Sequence, residues 1–208
     1  MPTWLHLRTG VKRIHYSNYQ TMTNYKKIIE TNQIILRPIK EADFEEMRSL
    51  TRNEQMWTYF TSNLSNENEL LNWIKTAERS VENNERLAFT IIDKRNNKIV
   101  GSTSLGNFSE RDKRIEIGWT WLSENVQGTG LNQMVKLTLL KYCFEELNLE
   151  RVECKTDVLN IAARKGLKKS GFTEEGILRS HTLLANGRRR DSIYYGILKN
   201  EWNIIQTK

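Results

Sequence analysis

The spacing of apolar residues changes along the chain, and each spacing predicts a different type of element. Short β-branched or alternating runs predict strands at 34–38, 87–93, 98–105 and 115–122. Connections of hairpin length join the last three strands, which indicates an antiparallel meander. Apolar residues near helical spacing predict one helix at 41–50 and a longer one that begins at residue 66.

The second half of the chain follows another order of patterns. Apolar residues on more than one face predict a buried helix at 130–147, then a strand at 151–156 and a helix at 161–170. Two further strands are predicted at 172–184 and 190–198. A strand, a helix and a strand in succession imply a parallel pair. We therefore expect an α/β (α+β) fold with one mixed, mostly antiparallel sheet and helices on both of its faces.

Length and charge set a boundary near the N-terminus. A chain of 208 residues accommodates one domain. Residues 1–31 lack periodicity and carry +4 of the formal net charge of +7, so we expect a basic tail at 1–31 and a single domain at 32–208. Met22 is an alternative start of translation. The remaining +3 suits a polyanionic ligand or an acidic partner, but it also fits a neutral enzyme.

Cysteine content and hydropathy bear on location. Cys143 and Cys154 lie within predicted elements, and no metal-ligand spacing is present, so we expect reduced core thiols, no metal and a cytoplasmic protein. No apolar stretch approaches the ~20 residues that cross a bilayer, and no membrane partner is expected. Residues 1–18 contain no apolar core of a signal peptide.

The candidate chemistry lies between the strand that ends at 122 and the helix that begins at 130. Residues 127–132 read Gln-Gly-Thr-Gly-Leu-Asn. Glycine permits unusual dihedrals and close approach, and a helix N-terminus adds about half a positive charge, which suits a phosphate group. A dinucleotide-binding loop would have glycine in place of Gln133, and the Gly-Lys-Ser or Gly-Lys-Thr of a P-loop is absent. Spacing alone leaves both a phosphate loop and an ordinary turn open.

This loop resembles the pyrophosphate loop of the Gcn5-related (GNAT) N-acetyltransferases, Gln/Arg-x-x-Gly-x-Gly/Ala, except that Asn132 occupies the last position. Other similar segments follow the family's order between residues 33 and 203. They are Leu-Arg-Pro at 36–38, Asn160, Lys-Ser-Gly-Phe at 169–172, Glu-Gly-Ile-Leu-Arg at 175–179 and the hairpin from 186 to 202. Within the superfamily, the chain is most similar to the RimJ/RimL group, which acetylates ribosomal protein N-termini.

The resemblance implies that acetyl-coenzyme A (acetyl-CoA) is the co-substrate. It also implies that the strand ending at Leu122 splays from its parallel neighbour, so that its backbone pairs with the pantetheine arm while loop amides hold the pyrophosphate. The implied cofactor-binding residues are Trp119, Thr120, Trp121, Leu122, Gln127, Gly128, Thr129, Gly130, Leu131, Asn132, Asn160 and Arg164. The implied reaction is direct attack of an amine on the thioester. A strand amide near Trp121 would stabilise the oxyanion.

Glu116 is the candidate general base for that reaction. On an unbroken strand, Ile117, Trp119 and Trp121 share one face and Glu116 lies on the other, which would place its carboxylate in the cleft. The alternative is a partly exposed Glu116 that makes a cross-strand pair.

A general acid is harder to identify from the sequence. Many members of the family have Tyr where Leu167 stands, and RimL-like members often have Ser where Ala163 stands. The remaining candidates are water, Tyr194, Tyr195 and His181. The usual role of such side chains in a core or a hairpin is structural.

Three functions remain open on the sequence. The first is acetylation of a protein N-terminal α-amine, with a ribosomal protein as partner. The second is acetylation of a small-molecule amine, such as a polyamine or an antibiotic, and the third is a catalytically weak CoA-binding module. We expect no specific nucleic-acid partner, because the domain carries only +3 and no RNA-binding motif is visible. Either a monomer or a homodimer fits the sequence.

Overall fold

The computed structural model describes residues 27–205 of the chain. The strands in this range are β1 (Ile29–Glu30), β2 (Ile34–Pro38), β3 (Leu87–Asp93), β4 (Lys98–Ser109), β5 (Arg114–Leu122), β6 (Arg151–Asp157), β7 (Thr173–Leu183) and β8 (Arg189–Leu198). The helices are α1 (Phe44–Leu50), α2 (Glu67–Glu82), α3 (Leu131–Lys141), α4 (Ile161–Lys169) and α5 (Lys199–Ile205). Short 3-10 turns precede α1 and α3, and a π-helical turn, Tyr142–Glu146, follows α3.

All eight strands form one sheet in the order β1-β2-β3-β4-β5-β6-β8-β7. Neighbouring strands are antiparallel except β5 and β6, which are parallel. The long connection through α3 joins this parallel pair, as a crossover requires. The predicted fold class is therefore confirmed, including the antiparallel meander β3-β4-β5.

Helices cover both faces of the sheet. Consecutive residues along β3 and β4 are buried, and because side chains alternate between faces, both faces must be covered there. Thr90 on β3 donates a hydrogen bond to Asp43, immediately before α1, so α1 marks one face. Lys136 on α3 and Cys154 on β6 interact electrostatically, which marks the other face as the one that α3 covers.

The sheet begins earlier than the expected domain boundary. Ile29 and Glu30, placed in the tail by the sequence analysis, pair with Leu36 and Ile35 of β2. The apolar side chain of Ile29 is buried and forms part of the hydrophobic core. Of the expected tail, residues 27–31 are described. Residues 1–26, including Met22, lie outside the described residues.

Candidate acetyl-transfer site

The parallel strands β5 and β6 separate after only three paired positions. Arg114 pairs with Arg151, Ile115 with Val152 and Glu116 with Glu153. Beyond Glu116, β5 continues to pair with β4, while β6 continues to pair with β8. The backbone edges that face each other across the resulting gap are therefore not joined by a sheet ladder. This is the splay that the resemblance implied.

A cavity of about 340 Å³ occupies the gap. Its lining comes from both strands and from the helices that cover them: Glu116, Gly118, Trp119 and Thr120 of β5, Cys154, Lys155 and Thr156 of β6, and Lys136, Ala163 and Leu167 of α3 and α4. A second cavity of about 690 Å³ adjoins it and shares Thr120, Asn132 and Asn160 with it. Together they form a path from the glycine loop to Glu116.

A bulge at Trp119 changes which side chains face the cavity. Trp119 has φ of +52°, and the register with β4 shifts so that Ser104 pairs with Gly118 and Ser102 with Trp121. Ser102 and Ser104 lie two residues apart and share a face of the sheet. Their partners Trp121 and Gly118 therefore also share a face, which is the face of Glu116. The prediction that Trp121 lies opposite Glu116 is therefore wrong, because the extra residue reverses the alternation.

The indole of Trp119 is held beside the bulge. The guanidinium of Arg86 lies 4.9 Å from the ring centroid, a cation–π contact. A Cβ atom on Gly106 would lie 2.9 Å from two atoms of the Trp119 ring, so only glycine leaves room for the indole there. Trp119 is thus held by Gly106 of β4 and by Arg86, which immediately precedes β3.

The glycine loop has the features that a pyrophosphate needs. Gly128 and Gly130 have φ of +76° and +89°, and a Cβ atom at either position would meet open space. Within residues 27–205, no side chain caps the start of α3, so the first N–H groups of the helix are available to an anion. Lys165 and Lys169 of α4 line the same cavity. The residues present therefore fit the pyrophosphate of acetyl-CoA.

The structure brings most of the predicted cofactor residues to the two cavities. Those that line one or both are Trp119, Thr120, Trp121, Leu122, Gln127, Gly128, Gly130, Asn132 and Asn160. The Gln127 side chain also donates to the Leu122 carbonyl at 3.0 Å, which ties the loop to the end of β5. The Asn160 Oδ1 atom accepts a hydrogen bond from the Ala163 N–H and so caps α4.

Three predicted residues lie outside both cavities. The Thr129 hydroxyl donates to the Val126 carbonyl at 2.7 Å, and Leu131 is part of the core. Arg164 directs its guanidinium to the Val158 carbonyl at 3.0 Å and to the Tyr195 hydroxyl at 3.4 Å. These contacts hold Arg164 beneath the C-terminal hairpin rather than beside the glycine loop.

Glu116 makes a cross-strand pair, as one of the two alternatives expected, and it also lines the cavity. It lines the cavity and is buried, with 6% of its surface exposed. Its Oε2 atom accepts hydrogen bonds from Lys155 Nζ at 2.6 Å and from Asn107 Nδ2 at 2.8 Å. The carboxylate is thus a cross-strand ion-pair partner that also faces the gap between β5 and β6.

The candidate general acids Tyr194, Tyr195 and His181 line neither cavity. Tyr195 is fully buried, and its hydroxyl donates a hydrogen bond to Glu174. The Lys155 ammonium lies 5.8 Å from the centroid of the Tyr194 ring. His181 pairs with Ser192 at 3.0 Å. Tyr59 and Phe60, in contrast, line both cavities.

Sequence reasoning missed five basic residues that line the cavities. They are Lys136, Lys155, Lys165, Lys169 and Arg190. Lys136 falls within the apolar stripe of α3, and its position among buried neighbours was the available signal. Burial lowers the pKa of Arg190 from its usual value. Its Nε atom donates to Ser192 at 2.9 Å.

Residues 27–205 show neither a metal-binding cluster nor a membrane-spanning helix. No group of three His, Cys, Asp or Glu side chains in this range is arranged to hold a metal ion. None of its helices has the length and apolar character needed to cross a membrane.

Comparison with known proteins matches residues 33–173 to the family model described as an acetyltransferase (GNAT) domain. The "Putative ribosomal N-acetyltransferase YdaF" of Bacillus subtilis is 36% identical over 104 residues, which span 50% of this chain and 56% of that protein. The chain thus spans little more than half the length of this relative.

Solved structures show the same architecture. A GCN5-related N-acetyltransferase from Brucella melitensis superposes with a TM-score of 0.81 at 24% identity, over 88% of this chain and 83% of its own. A ribosomal-protein-S5-alanine acetyltransferase from Vibrio fischeri superposes with a TM-score of 0.70 at 19% identity, over 85% and 98% of the two chains. At these identities the likeness concerns the fold alone.

Proposed function

Because the chain belongs to the GNAT family of N-acetyltransferases, we propose that it transfers the acetyl group of acetyl-CoA to a primary amine. The observation that carries this proposal is the gap between β5 and β6, which opens beside an uncapped helix N-terminus with two positive-φ glycines. A pantetheine arm fits the unpaired edges of the gap, and its pyrophosphate fits the glycine loop.

Binding would use backbone groups more than side chains. The free edge of β5 from Trp119 to Leu122 pairs with the amides of the pantetheine arm, as a missing strand would. The loop amides from Gly128 to Asn132 and the ammonium groups of Lys165 and Lys169 neutralise the phosphate charge. Acetyl-CoA supplies the activated acyl group when bound. The protein holds its thioester in line with the amine, which accounts for much of the rate.

Glu116 is the proposed base. Within residues 27–205 its Oε1 atom accepts no hydrogen bond, since those from Lys155 and Asn107 both reach Oε2. This oxygen, directly or through one water molecule, accepts the proton that the amine loses as its nitrogen bonds to the carbonyl carbon. A backbone N–H of β5 near Trp121 stabilises the oxyanion that forms.

The proposed acceptor is a protein N-terminal α-amine, of the ribosomal-protein type. An α-amine has a reference pKa about 2.4 below that of lysine, so its deprotonation is easier by roughly 3 kcal/mol at a given pH. The name of the Bacillus relative points the same way. The acceptor would approach from the side of Tyr59 and Phe60, where Arg190 faces the cavity. Two free buried cysteines agree with a cytoplasmic location, which is part of this proposal.

Mass spectrometry with paired peptides tests the acceptor. One peptide has a free N-terminus and blocked lysines, the second has a blocked N-terminus and a free lysine, and a polyamine serves as the third substrate. We expect release of coenzyme A thiol and gain of one acetyl group with the first peptide. Turnover with the polyamine alone would assign a small-molecule acceptor. Binding of acetyl-CoA without turnover of any amine would instead assign a CoA-binding module.

A further inference from the structure

A buried lysine lines the cavity from the helix side. Lys136 lies on α3, and the other buried residues of that helix are Leu131, Val135, Leu139 and Leu140. Only 7% of the Lys136 surface is exposed, and its Nζ atom donates to Asn132 Oδ1 at 2.5 Å, one turn earlier. Among residues 27–205, no carboxylate forms an ion pair with it. Burial lowers the pKa of Lys136 below its usual value.

The groups that face Lys136 leave its ammonium with little solvation. On β6, the Cys154 thiol interacts electrostatically with Lys136. Burial raises the pKa of this thiol to about 12, so it is neutral. Glu116 and Lys155, on the opposite face of the sheet, also interact electrostatically with Cys154. From α4, Ala163 and Leu167 line the same cavity and carry no charge. An ammonium has three N–H donors, and Asn132 accepts one, so two remain for a group that enters the cavity.

Lys136 and Glu116 reach the cavity from opposite faces of the sheet. Glu116 pairs with Glu153, and Lys155 lies two residues further along β6, so these three share a face. Cys154 lies between Glu153 and Lys155 and therefore points to the other face, where it interacts electrostatically with Lys136. A base on one face and an ammonium on the other flank the point at which the strands separate.

We propose that the Lys136 ammonium donates the proton that the sulfur of coenzyme A takes up as it leaves. This inference rests on the proposed acetyl transfer. The amine nitrogen forms a bond to the acetyl carbon, the carbon–sulfur bond breaks, and its electron pair goes to sulfur. Sulfur receives a proton from Lys136 Nζ, and the proton lost by the amine goes to Glu116. Exchange with water then returns both side chains to their starting states.

The site supplies a reason for lysine in this position. Ala163 and Leu167 carry no exchangeable side-chain proton, although they line the cavity between α4 and the gap. An ammonium whose pKa is lowered by burial is a stronger acid than a solvated lysine and so gives up its proton more readily. Asn132 is the positioning residue, because its amide oxygen directs Nζ along the helix face toward the cavity.

The first test measures the thiol of bound coenzyme A rather than turnover. Ultraviolet absorbance of the thiolate is followed across pH for wild type and Lys136→Met, with Lys141→Met as the matched control on an exposed position of the same helix. A nearby ammonium lowers the pKa of a thiol by about one unit or more. We expect the thiol to titrate at lower pH on wild type and on Lys141→Met than on Lys136→Met.

The second test varies the leaving group. With acetyl-CoA, Lys136→Met should lower kcat by about 10²-fold. With the selenoester analogue, whose selenol is more acidic and leaves without a proton, the ratio of wild-type to variant kcat should fall toward one. Lys136→Gln serves as a second variant if the methionine protein does not fold.

The outcomes separate this inference from the proposed function. The role of Lys136 would be overturned if the thiol titrated at the same pH on wild type and on Lys136→Met. It would also be overturned if the ratio of wild-type to variant kcat were the same with the selenoester as with acetyl-CoA. Acetyl transfer by wild type would still stand in either case. Failure of wild type to bind coenzyme A would overturn both.

Discussion

Lys155 on β6 donates a hydrogen bond to Glu116 on β5, with Nζ and Oε2 2.6 Å apart, just where the two parallel strands separate. The contact joins the strands beyond their last paired position and holds the carboxylate toward the cavity. It is also an ion pair with little solvent access, since the two side chains are 24% and 8% exposed. The same pair therefore has consequences for both catalysis and stability.

For catalysis, Glu116→Gln should lower kcat by about 10²–10⁴-fold, because the amide cannot accept the amine proton. Affinity for acetyl-CoA should remain, since Glu116 lies away from the glycine loop. Steady-state kinetics and calorimetry together check this. Glu153→Gln is the matched control, a carboxylate on the same face of the sheet that pairs with Arg114 and Arg151. Equal turnover by the two variants would exclude Glu116 as the base.

For stability, Lys155→Met should lower the free energy of unfolding by about 1–3 kcal/mol, because Glu116 would lose its ion pair and keep, among residues 27–205, a hydrogen bond from Asn107 alone. Urea denaturation measures this change. The control is Lys168→Met, which removes an exposed partner of Glu174 and should cost under about 1 kcal/mol. A larger effect at Lys168 than at Lys155 would contradict the description of the pair.

Asp43 predicts an acid-dependent loss of stability. Burial would raise the pKa of Asp43, but hydrogen bonds from Arg37, Thr90 and the Lys40 N–H outweigh it, so the folded-state pKa is lowered. A carboxylate with a lowered folded pKa stabilises the protein above its unfolded pKa of about 3.9 and loses that contribution as pH falls further.

The Asp43→Asn variant tests this pH dependence. Its free energy of unfolding should be lower than that of wild type by about 2 kcal/mol near pH 7. The difference should shrink below about pH 4. Urea denaturation from neutral to acidic pH measures it, with the exposed Asp112→Asn as control. A difference that stays constant across this range would show that the charge of Asp43 does not stabilise the fold.

Gly106 predicts a steric effect at the bulge. In Gly106→Ala the new Cβ atom would lie 2.9 Å from the Trp119 ring, so the indole must shift, which disturbs its cation–π contact with Arg86. We expect a loss of about 1–3 kcal/mol in the free energy of unfolding and weaker binding of acetyl-CoA. Gly176→Ala, where a Cβ atom meets open space, is the control. Equal stability of the two variants would mean that Trp119 is free to move.

The elements were predictable from the sequence because their apolar periods are regular. The parallel pair followed from one strand-helix-strand succession, and β5 and β6 confirm it. The bulge was not predictable, since a tryptophan with positive φ has no sequence signal, and its contacts with Arg86 and Gly106 are long-range in the sequence. Without the bulge, strict alternation placed Trp121 on the wrong face.

The part of the site that α3 contributes was also not predictable from the sequence. The apolar pattern at 130–147 predicted one buried helix, but α3 ends at Lys141 and continues as a π-helical turn. Lys136 sits within that pattern, which signals a position among apolar neighbours, but the sequence does not show what its ammonium contacts. Only the structure shows that its ammonium meets Asn132 and the cavity.

Calorimetric titration of acetyl-CoA tests the central claim most directly. Wild type is compared with Gly130→Asp, whose carboxylate would repel the pyrophosphate. The matched control is Gly187→Asp, at a glycine with a similar φ of +82° and equally open space in the C-terminal hairpin. We expect saturable binding by wild type and Gly187→Asp, and binding weaker by at least about tenfold, or 1.4 kcal/mol, for Gly130→Asp. Absence of binding by wild type, or equal binding by all three proteins, would contradict that claim.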